Sequence, residues 1–268
     1  ARIGGPVMAH VSRRLFMAAT PAALVGVTAA QPEERPRAAE PDDQYPVTPS
    51  ERASEFVGAC HVQFDNVKAM LEEDAGLAKA SWDWGFGDWE TAIGAASHTG
   101  RIDIIELLIA HGARPTIFTL ATLDRVDALR DLLENVPNVD ALEGPHSISL
   151  YRHARAGKAE RVLEYLEGRG ATDTNPFAIE KAEAEPYFGV YTWGAGETEH
   201  FEIGWFERMS AISLKRPGFA SRNLMPLGDH TFSPAGARHV RMRFDVEEGT
   251  PVRLHVPWAG RTRTAERV

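Results

Sequence analysis

The chain has 268 residues, of which 43% are hydrophobic and 25% charged, enough for two modest domains that each bury a core. Its formal net charge is −9, so no large basic face for nucleic acid is expected. The single cysteine, Cys60, excludes a disulfide within the chain, and we interpret it as a buried apolar thiol.

Residues 1–30 have the pattern of a signal peptide. An arginine pair, Arg13 and Arg14, precedes an uncharged stretch from Ala18 to Ala30. Thirteen such residues are fewer than the roughly 20 that a membrane-spanning helix needs, so no stable span is expected in the mature chain. Ser12-Arg13-Arg14 followed by Phe16 resembles the twin-arginine export motif. That resemblance implies a periplasmic or secreted bacterial protein; the alternative is a cytoplasmic chain with a basic, apolar tail.

Residues 31–54 are predicted to form a disordered, proline-rich linker. They contain five prolines mixed with charged residues and few apolar side chains. Such a composition cannot bury enough surface to offset the entropy of ordering.

Residues 55–175 show apolar side chains at helical spacing. Four longer amphipathic stretches include Leu71, Leu108, Leu133 and Leu166, and each follows a shorter stretch rich in small residues. The intervals between these leucines are 37, 25 and 33 residues. We therefore predict about four helix pairs with one continuous core, in which Leu108 and Leu133 are buried.

Two motifs in this region resemble those of ankyrin repeats. The stretch from Thr91 to Ala96 resembles the Thr-Pro-Leu-His-x-Ala opening, although Ala92 and Gly94 replace its Pro and His. His111-Gly112-Ala113 resembles the repeat's closing turn, and the family period is about 33 residues. The resemblance implies a helical solenoid that binds an unknown protein partner.

Residues 176–268 change to a period of two. Val240, Met242, Phe244 and Val246 alternate with polar residues before a Glu-Glu-Gly-Thr turn, which predicts half-buried antiparallel strands. The predicted fold class is thus α+β multidomain, an α-helical ankyrin solenoid followed by a small antiparallel β-barrel or curled sheet. Tyr187-x-Gly189-x-Tyr191 and the stretch 227–232 resemble the lipocalin-like domain appended to penicillin-binding-type serine hydrolases.

No short catalytic or phosphate-binding motif occurs, and neither a cofactor nor a metal site is predicted. Asp83, Asp88 and Glu90 lie close together but lack the spacing of a calcium loop, so turn and capping roles are favoured, as they are for His98. A zinc site on the strands is a less favoured alternative to solvated histidines. Its ligands would be His239 and His255, joined by His200 or His230.

Two groups of residues are predicted to bind a partner. The first is the aromatic loop, with Trp82, Trp84, Phe86 and Trp89; it is either an interface or a cap over the first helices. The second is a basic face on the strands. It comprises Arg241, Arg243 and Arg253, with His255 beside them.

The function predicted from the sequence is non-catalytic: an exported ankyrin-repeat protein that mediates protein–protein interaction. Two alternatives stay open. One is a periplasmic sensor that holds a small ligand in the mouth of the C-terminal barrel. The other is an accessory module of a hydrolase, and three titratable groups converging in one cleft would favour enzymatic chemistry over both.

Overall fold

The computed structural model describes residues 46–136, 141–258 and 260–268. The predicted signal peptide, 1–30, and most of the predicted linker lie outside these residues. The first helix begins at Ser50, inside the range predicted as linker. Thr48–Val268 form one compact unit. No helix among the described residues is long and apolar enough to cross a bilayer.

Short helices and one small hairpin occupy the first half of this unit. They are α1 (Ser50–Ala59), α2 (Phe64–Glu73), β1 (Ser81–Asp83), β2 (Trp89–Thr91), α3 (Ala92–His98), α4 (Ile102–Ala110), α5 (Ile117–Thr122), α6 (Val126–Asn135), α7 (Leu150–Gly157) and α8 (Glu160–Gly168). Side chains cap three of the helices where they begin: Thr91 for α3, Thr116 for α5 and Ser149 for α7. A hydroxyl at this position satisfies an amide that the helix itself leaves unpaired.

The second half is a closed barrel of eight antiparallel strands that follows α9 (Lys181–Ala184). The strands are β3 (Gly189–Thr192), β4 (His200–Phe206), β5 (Ala211–Lys215), β6 (Arg222–Gly228), β7 (Thr231–Pro234), β8 (Met242–Glu247), β9 (Thr250–Trp258) and β10 (Arg261–Arg267). Each pairs with its neighbour in the chain, and β10 closes the barrel on β3. Tyr191, Phe201 and Phe244 are among the buried side chains that fill its core.

The predicted fold class is wrong, because no helical ankyrin solenoid is evident in the described part of the chain. In a solenoid each repeat contacts only its neighbours in the chain. Here α7 packs against both α5 and α3. The single continuous core expected for the helices is also wrong. Leu108 is buried in a cluster formed by α1–α4, and Leu133 in a second one formed by α5–α8.

Polar contacts join the helical half to the barrel. Asp88, in the β1–β2 hairpin, pairs with Arg222 on β6 at 2.8 Å, and both side chains are buried. The amide of Gly236 donates to Ser147 Oγ at 3.0 Å. Ser147 belongs to the 3-10 turn Pro145–Ser147, which therefore lies against the barrel.

Candidate metal centre

Three histidines and one glutamate meet where the helices face the barrel. His61 follows α1, Glu90 lies on β2, His98 ends α3, and His146 lies in the 3-10 turn before α7. Each side chain offers one ligand atom, and these atoms all lie within 4.8 Å of one another. Ligand atoms about 2.1 Å from one ion lie at most about 4.2 Å apart, so the group is close to the spacing that one ion requires.

Glu90 is the centre of the group. Its carboxylate oxygens lie 2.9 Å from His98 Nε2, 3.4 Å from His61 Nε2 and 3.5 Å from His146 Nε2. Ligand atoms about 2.1 Å from one zinc ion are about 3.4 Å apart at tetrahedral angles. The observed contacts bracket this spacing, so a small shift of the side chains would bring all four groups onto one ion.

Two of the facing atoms have no hydrogen-bond partner among the described residues. Glu90 Oε1 and His98 Nε2 are both buried, and their 2.9 Å contact lacks the alignment of a hydrogen bond. A buried polar atom without a partner costs about 1–3 kcal/mol, so such atoms call for an explanation. An ion bound by both atoms would supply each of them with a partner.

The glutamate side chain is fully buried, and it is charged. Trp84 Nε1 donates to Glu90 Oε2 at 2.7 Å. Burial alone would raise the pKa of the Glu90 carboxyl, but the contacts with His146 and His98 outweigh it and hold this pKa well below its usual range. An anion is thus fixed in the interior, where it needs positive charge close by.

Two of the three imidazoles, those of His61 and His146, are oriented by contacts on their other nitrogen. His61 Nδ1 lies 3.0 Å from the Gly58 carbonyl oxygen, and His146 Nδ1 lies 2.6 Å from Asp88 Oδ2. A carbonyl or carboxylate there keeps the proton on Nδ1 and leaves the Nε2 lone pair for a metal. Metal-binding histidines usually have such an outer partner.

Burial and the nearby carboxylates shift the pKa values of His61 and His146 in opposite directions. Burial lowers the pKa of His61 and outweighs the attraction of Glu90. Burial would also lower the pKa of His146, but the carboxylates of Asp88 and Glu90 raise it to about 9. Neutral imidazole is the metal-binding form, so an ion would displace a proton from His146.

Asp88 holds the turn that carries His146. The Asp88 carboxylate accepts a hydrogen bond from the His146 amide at 3.0 Å, in addition to its contact with the imidazole. His146 has a left-handed backbone, with φ of 59°, which the amide bond to Asp88 helps to hold. Behind this turn, a Cβ on Gly144 would lie 2.7 Å from the ring of His153, so only glycine permits the close approach.

The histidines form part of the wall of a cleft of about 890 Å³ between the helices and the barrel. His61, His98 and His146 line it, whereas Glu90 is buried behind them. An ion on this group would therefore have one side turned to the cleft.

The donor set favours a transition metal over calcium or magnesium. Imidazole suits zinc, copper, nickel and iron, while calcium and magnesium prefer oxygen ligands throughout. Cys60 lies next to His61 in the chain but is not part of the group. Burial, then the charge of Glu90, raises the pKa of its thiol to about 12, so it stays protonated.

Of the predicted aromatic loop, one residue belongs to this site. Trp84 lines the cleft and holds Glu90. Trp82 and Trp84 are half-buried against the α1–α4 core, whereas Phe86 packs against the barrel core. Trp89 is 65% exposed. The loop thus divides between packing and surface, and its role in partner binding stays a prediction.

The predicted basic face lies on the barrel wall and is paired with acids of the same chain. Arg243 contacts Asp245 at 2.8 Å, and Arg253 contacts Glu266 at 3.1 Å. The exposed Arg241 contacts backbone carbonyl groups. Nearby acids therefore neutralise much of the positive charge expected from these side chains. Partner binding by this face also stays a prediction.

This candidate metal centre is not predicted by the sequence. Glu90 and Asp88 were interpreted as turn residues, and His98 as a cap. His146 carried no recognisable signal, because the four ligands are spread from residue 61 to residue 146 without a spacing motif. The strand histidines that were considered instead do not form a ligand group in the described residues.

No protein-family model and no curated protein matches the chain. Two solved structures show a low similarity: SurE with D-Leu, and SurE, each at 14% identity and a TM-score of 0.25. Both alignments cover 67% of this chain, which spans about half the length of those proteins. A TM-score this low supports no conclusion on fold or function.

Proposed function

We propose that this protein is a metalloenzyme that binds a divalent transition-metal ion of the zinc type through His61, Glu90, His98 and His146. One observation carries the proposal: three imidazoles and a charged, buried carboxylate converge within 4.8 Å at the wall of a large cleft.

The position of the group favours a catalytic ion over a structural one. Structural zinc sites are often rich in cysteine, whereas a catalytic ion keeps a position for water or substrate or gains one by expanding from four ligands to five. Here the three histidines line the cleft and no thiolate takes part. An ion facing a cleft supplies Lewis-acid chemistry, either by polarising a bound oxygen or by activating a bound water.

The chain's own residues have distinct parts in this proposal. Glu90 supplies the negative charge, and Trp84 holds its second oxygen. Asp88 orients His146 through both its amide and its imidazole. Loss of such an outer partner typically lowers metal affinity about 10–100-fold.

Cobalt(II) titration of chelator-treated protein tests the site directly. Trp84 gives a readout of its own, since its ring lies 6.2 Å from that of His61 and 6.4 Å from that of His146. We expect one equivalent of cobalt to produce visible absorption and to quench tryptophan fluorescence. In Trp84→Phe the absorption should remain while most of the quenching is lost.

Variants then assign the ligands. Glu90→Gln and His98→Gln should each lower cobalt and zinc affinity by more than the roughly 10–100-fold typical of outer partners. His255→Gln is the matched control, because His255 contacts Asp245 and Thr264 on the barrel. Far-UV circular dichroism checks folding. Absence of stoichiometric binding, or equal affinity in the wild type and both ligand variants, would refute the proposal.

A further inference from the structure

The barrel wall of the same cleft carries a buried arginine with one free edge. Arg222 begins β6, is 6% exposed and lines the cleft. Its Nη1 donates to Asp88 at 2.8 Å. Its Nε and Nη2 are buried and have no hydrogen-bond partner among the described residues.

These two nitrogens form the side of the guanidinium group that binds oxyanions. The N–H groups on Nε and Nη2 point the same way in one plane, so they can donate in parallel to two oxygens of a carboxylate or phosphate. The cost of leaving them buried and unpaired is large, and a bound oxyanion removes it. Asp88 does not do so, because it contacts the guanidinium group on Nη1 and leaves Nε and Nη2 without a partner.

The rest of the cleft is positive as well. Arg152, Arg155 and Arg208 line it, and none of the residues that line it is acidic. Arg152 and Arg155 share a single carboxylate, Asp173. Arg208 lies over the ring of Phe206 and forms no ion pair in the described residues. This excess of positive charge attracts anions into the cleft.

Apolar side chains lie beside these charges. Ile148, Phe206 and Met209 contribute to the lining. A site with a few placed polar groups on an otherwise apolar lining is typical for small organic ligands. The lining therefore fits a molecule with an anionic end and an apolar body.

We propose that the cleft binds a small organic oxyanion, a carboxylate or phosphate ester, on the Nε and Nη2 edge of Arg222, with its apolar part against Phe206 and Met209. This names the substrate class of the proposed metalloenzyme, and its placement beside an ion rests on that function. Arg222 contacts Asp88, and Asp88 contacts the ligand His146. The anion would thus be bound next to the residues that hold the ion.

Calorimetric titration with three probes tests the proposal. The probes are inorganic phosphate, phenyl phosphate and phenylacetate, each added to zinc-loaded and to chelator-treated protein. Arg222→Lys keeps a positive charge for Asp88 but removes the two-donor edge, and we expect it to weaken the preferred organic probe about tenfold or more. Arg243→Gln is the control, since Arg243 lies on the outside of the barrel. Zinc affinity is measured in parallel in all three proteins, so that an effect of Arg222→Lys on the metal site is separated from its effect on the anion.

The outcomes separate this inference from the metal site. Binding of an organic probe that is tighter than binding of inorganic phosphate, and that is lost in Arg222→Lys, supports the inference. Whether phenyl phosphate or phenylacetate binds more tightly identifies the anion class. If this occurs in protein that binds no zinc, the metal function fails and the anion site stands. Equal binding by wild type and Arg222→Lys, or no binding of any probe, overturns the anion site even where zinc binds.

A second measurement covers the case in which Arg222→Lys does not fold. Wild-type crystals soaked in selenate, an anomalous scatterer shaped like phosphate, would locate the anion directly. Selenate oxygens within hydrogen-bond distance of Arg222 Nε and Nη2 support the proposal. Selenate bound only elsewhere, or not at all, contradicts it.

Discussion

Replacing His153 by leucine should remove much of the protein's sensitivity to mild acid. His153 lies in α7 and is 0% exposed. Its Nδ1 lies 2.9 Å from the Ser149 carbonyl oxygen, and its Nε2 is buried without a partner among the described residues. Burial, only partly offset by that carbonyl contact, lowers the pKa of His153 from 6.5 to about 4.

The sign and size of the effect follow from this shift. His153 holds its proton less tightly in the folded chain than in the unfolded chain. Its contribution to the free energy of unfolding is therefore complete above pH 6.5 and is lost as the pH falls towards 4. At about 1.36 kcal/mol for each pKa unit, the whole window is worth about 3 kcal/mol. Between about pH 7.5 and pH 5, the free energy of unfolding should fall by about 2 kcal/mol through this residue.

Urea unfolding at these two pH values, in chelator, measures the effect. Other groups near the site also titrate, so the informative quantity is the difference between wild type and His153→Leu. The variant should lose about 2 kcal/mol less than wild type on acidification. His239→Leu, which removes an exposed histidine on the barrel side, is the control and should behave as wild type.

Equal losses in wild type and His153→Leu would refute the reasoning. That result would mean that the His153 ring is hydrated or reoriented in the folded protein and takes up its proton as easily as in the unfolded chain. A lower stability of the variant at both pH values would not do so, since it would reflect the lost contact with Ser149.

Three substitutions and one labelling experiment probe the packing. A Cβ on Gly157 would lie 2.1 Å from the Thr122 carbonyl oxygen, so Gly157→Ala should lower the melting temperature, at a cost of about 1–3 kcal/mol. A Cβ on Gly168 would meet no atom within 4 Å, so Gly168→Ala should stabilise α8 by up to about 1 kcal/mol. Equal effects of Gly157→Ala and Gly168→Ala on the melting temperature would contradict this packing. Leu108→Ala should cost about 2–5 kcal/mol in urea unfolding, and a tolerated change would mean that Leu108 is not packed. Cys60, with its pKa raised to about 12 by burial, should react with iodoacetamide only in urea, and rapid native labelling would argue against its burial.

Local periodicity located individual elements. Ile104, Ile105 and Leu108 recur at helical spacing, and they are the buried face of α4. The alternation of Met242 and Phe244 with charged residues marks β8, where those two side chains are buried. Such patterns are readable because they depend only on the geometry of neighbouring residues in one helix or strand.

The arrangement of those elements was not readable in the same way. Motifs around Thr91 and His111 suggested a solenoid, yet α7 packs on α3 as well as on α5. The basic face was expected from the sequence of β8 and β9, but Glu266 comes beside Arg253 only because β10 pairs with β9. Both outcomes depend on contacts between distant parts of the chain.

The sequence by itself therefore determined individual helical and strand segments, such as α4 and β8. Only the tertiary structure decided that Glu90 meets His61, His98 and His146, and that Arg222, whose Nε and Nη2 have no partner among the described residues, lines the same cleft. The physical reason is that a metal site needs several ligand atoms within a few ångströms. Here each ligand comes from a different element, so chain packing and not sequence spacing brings them together.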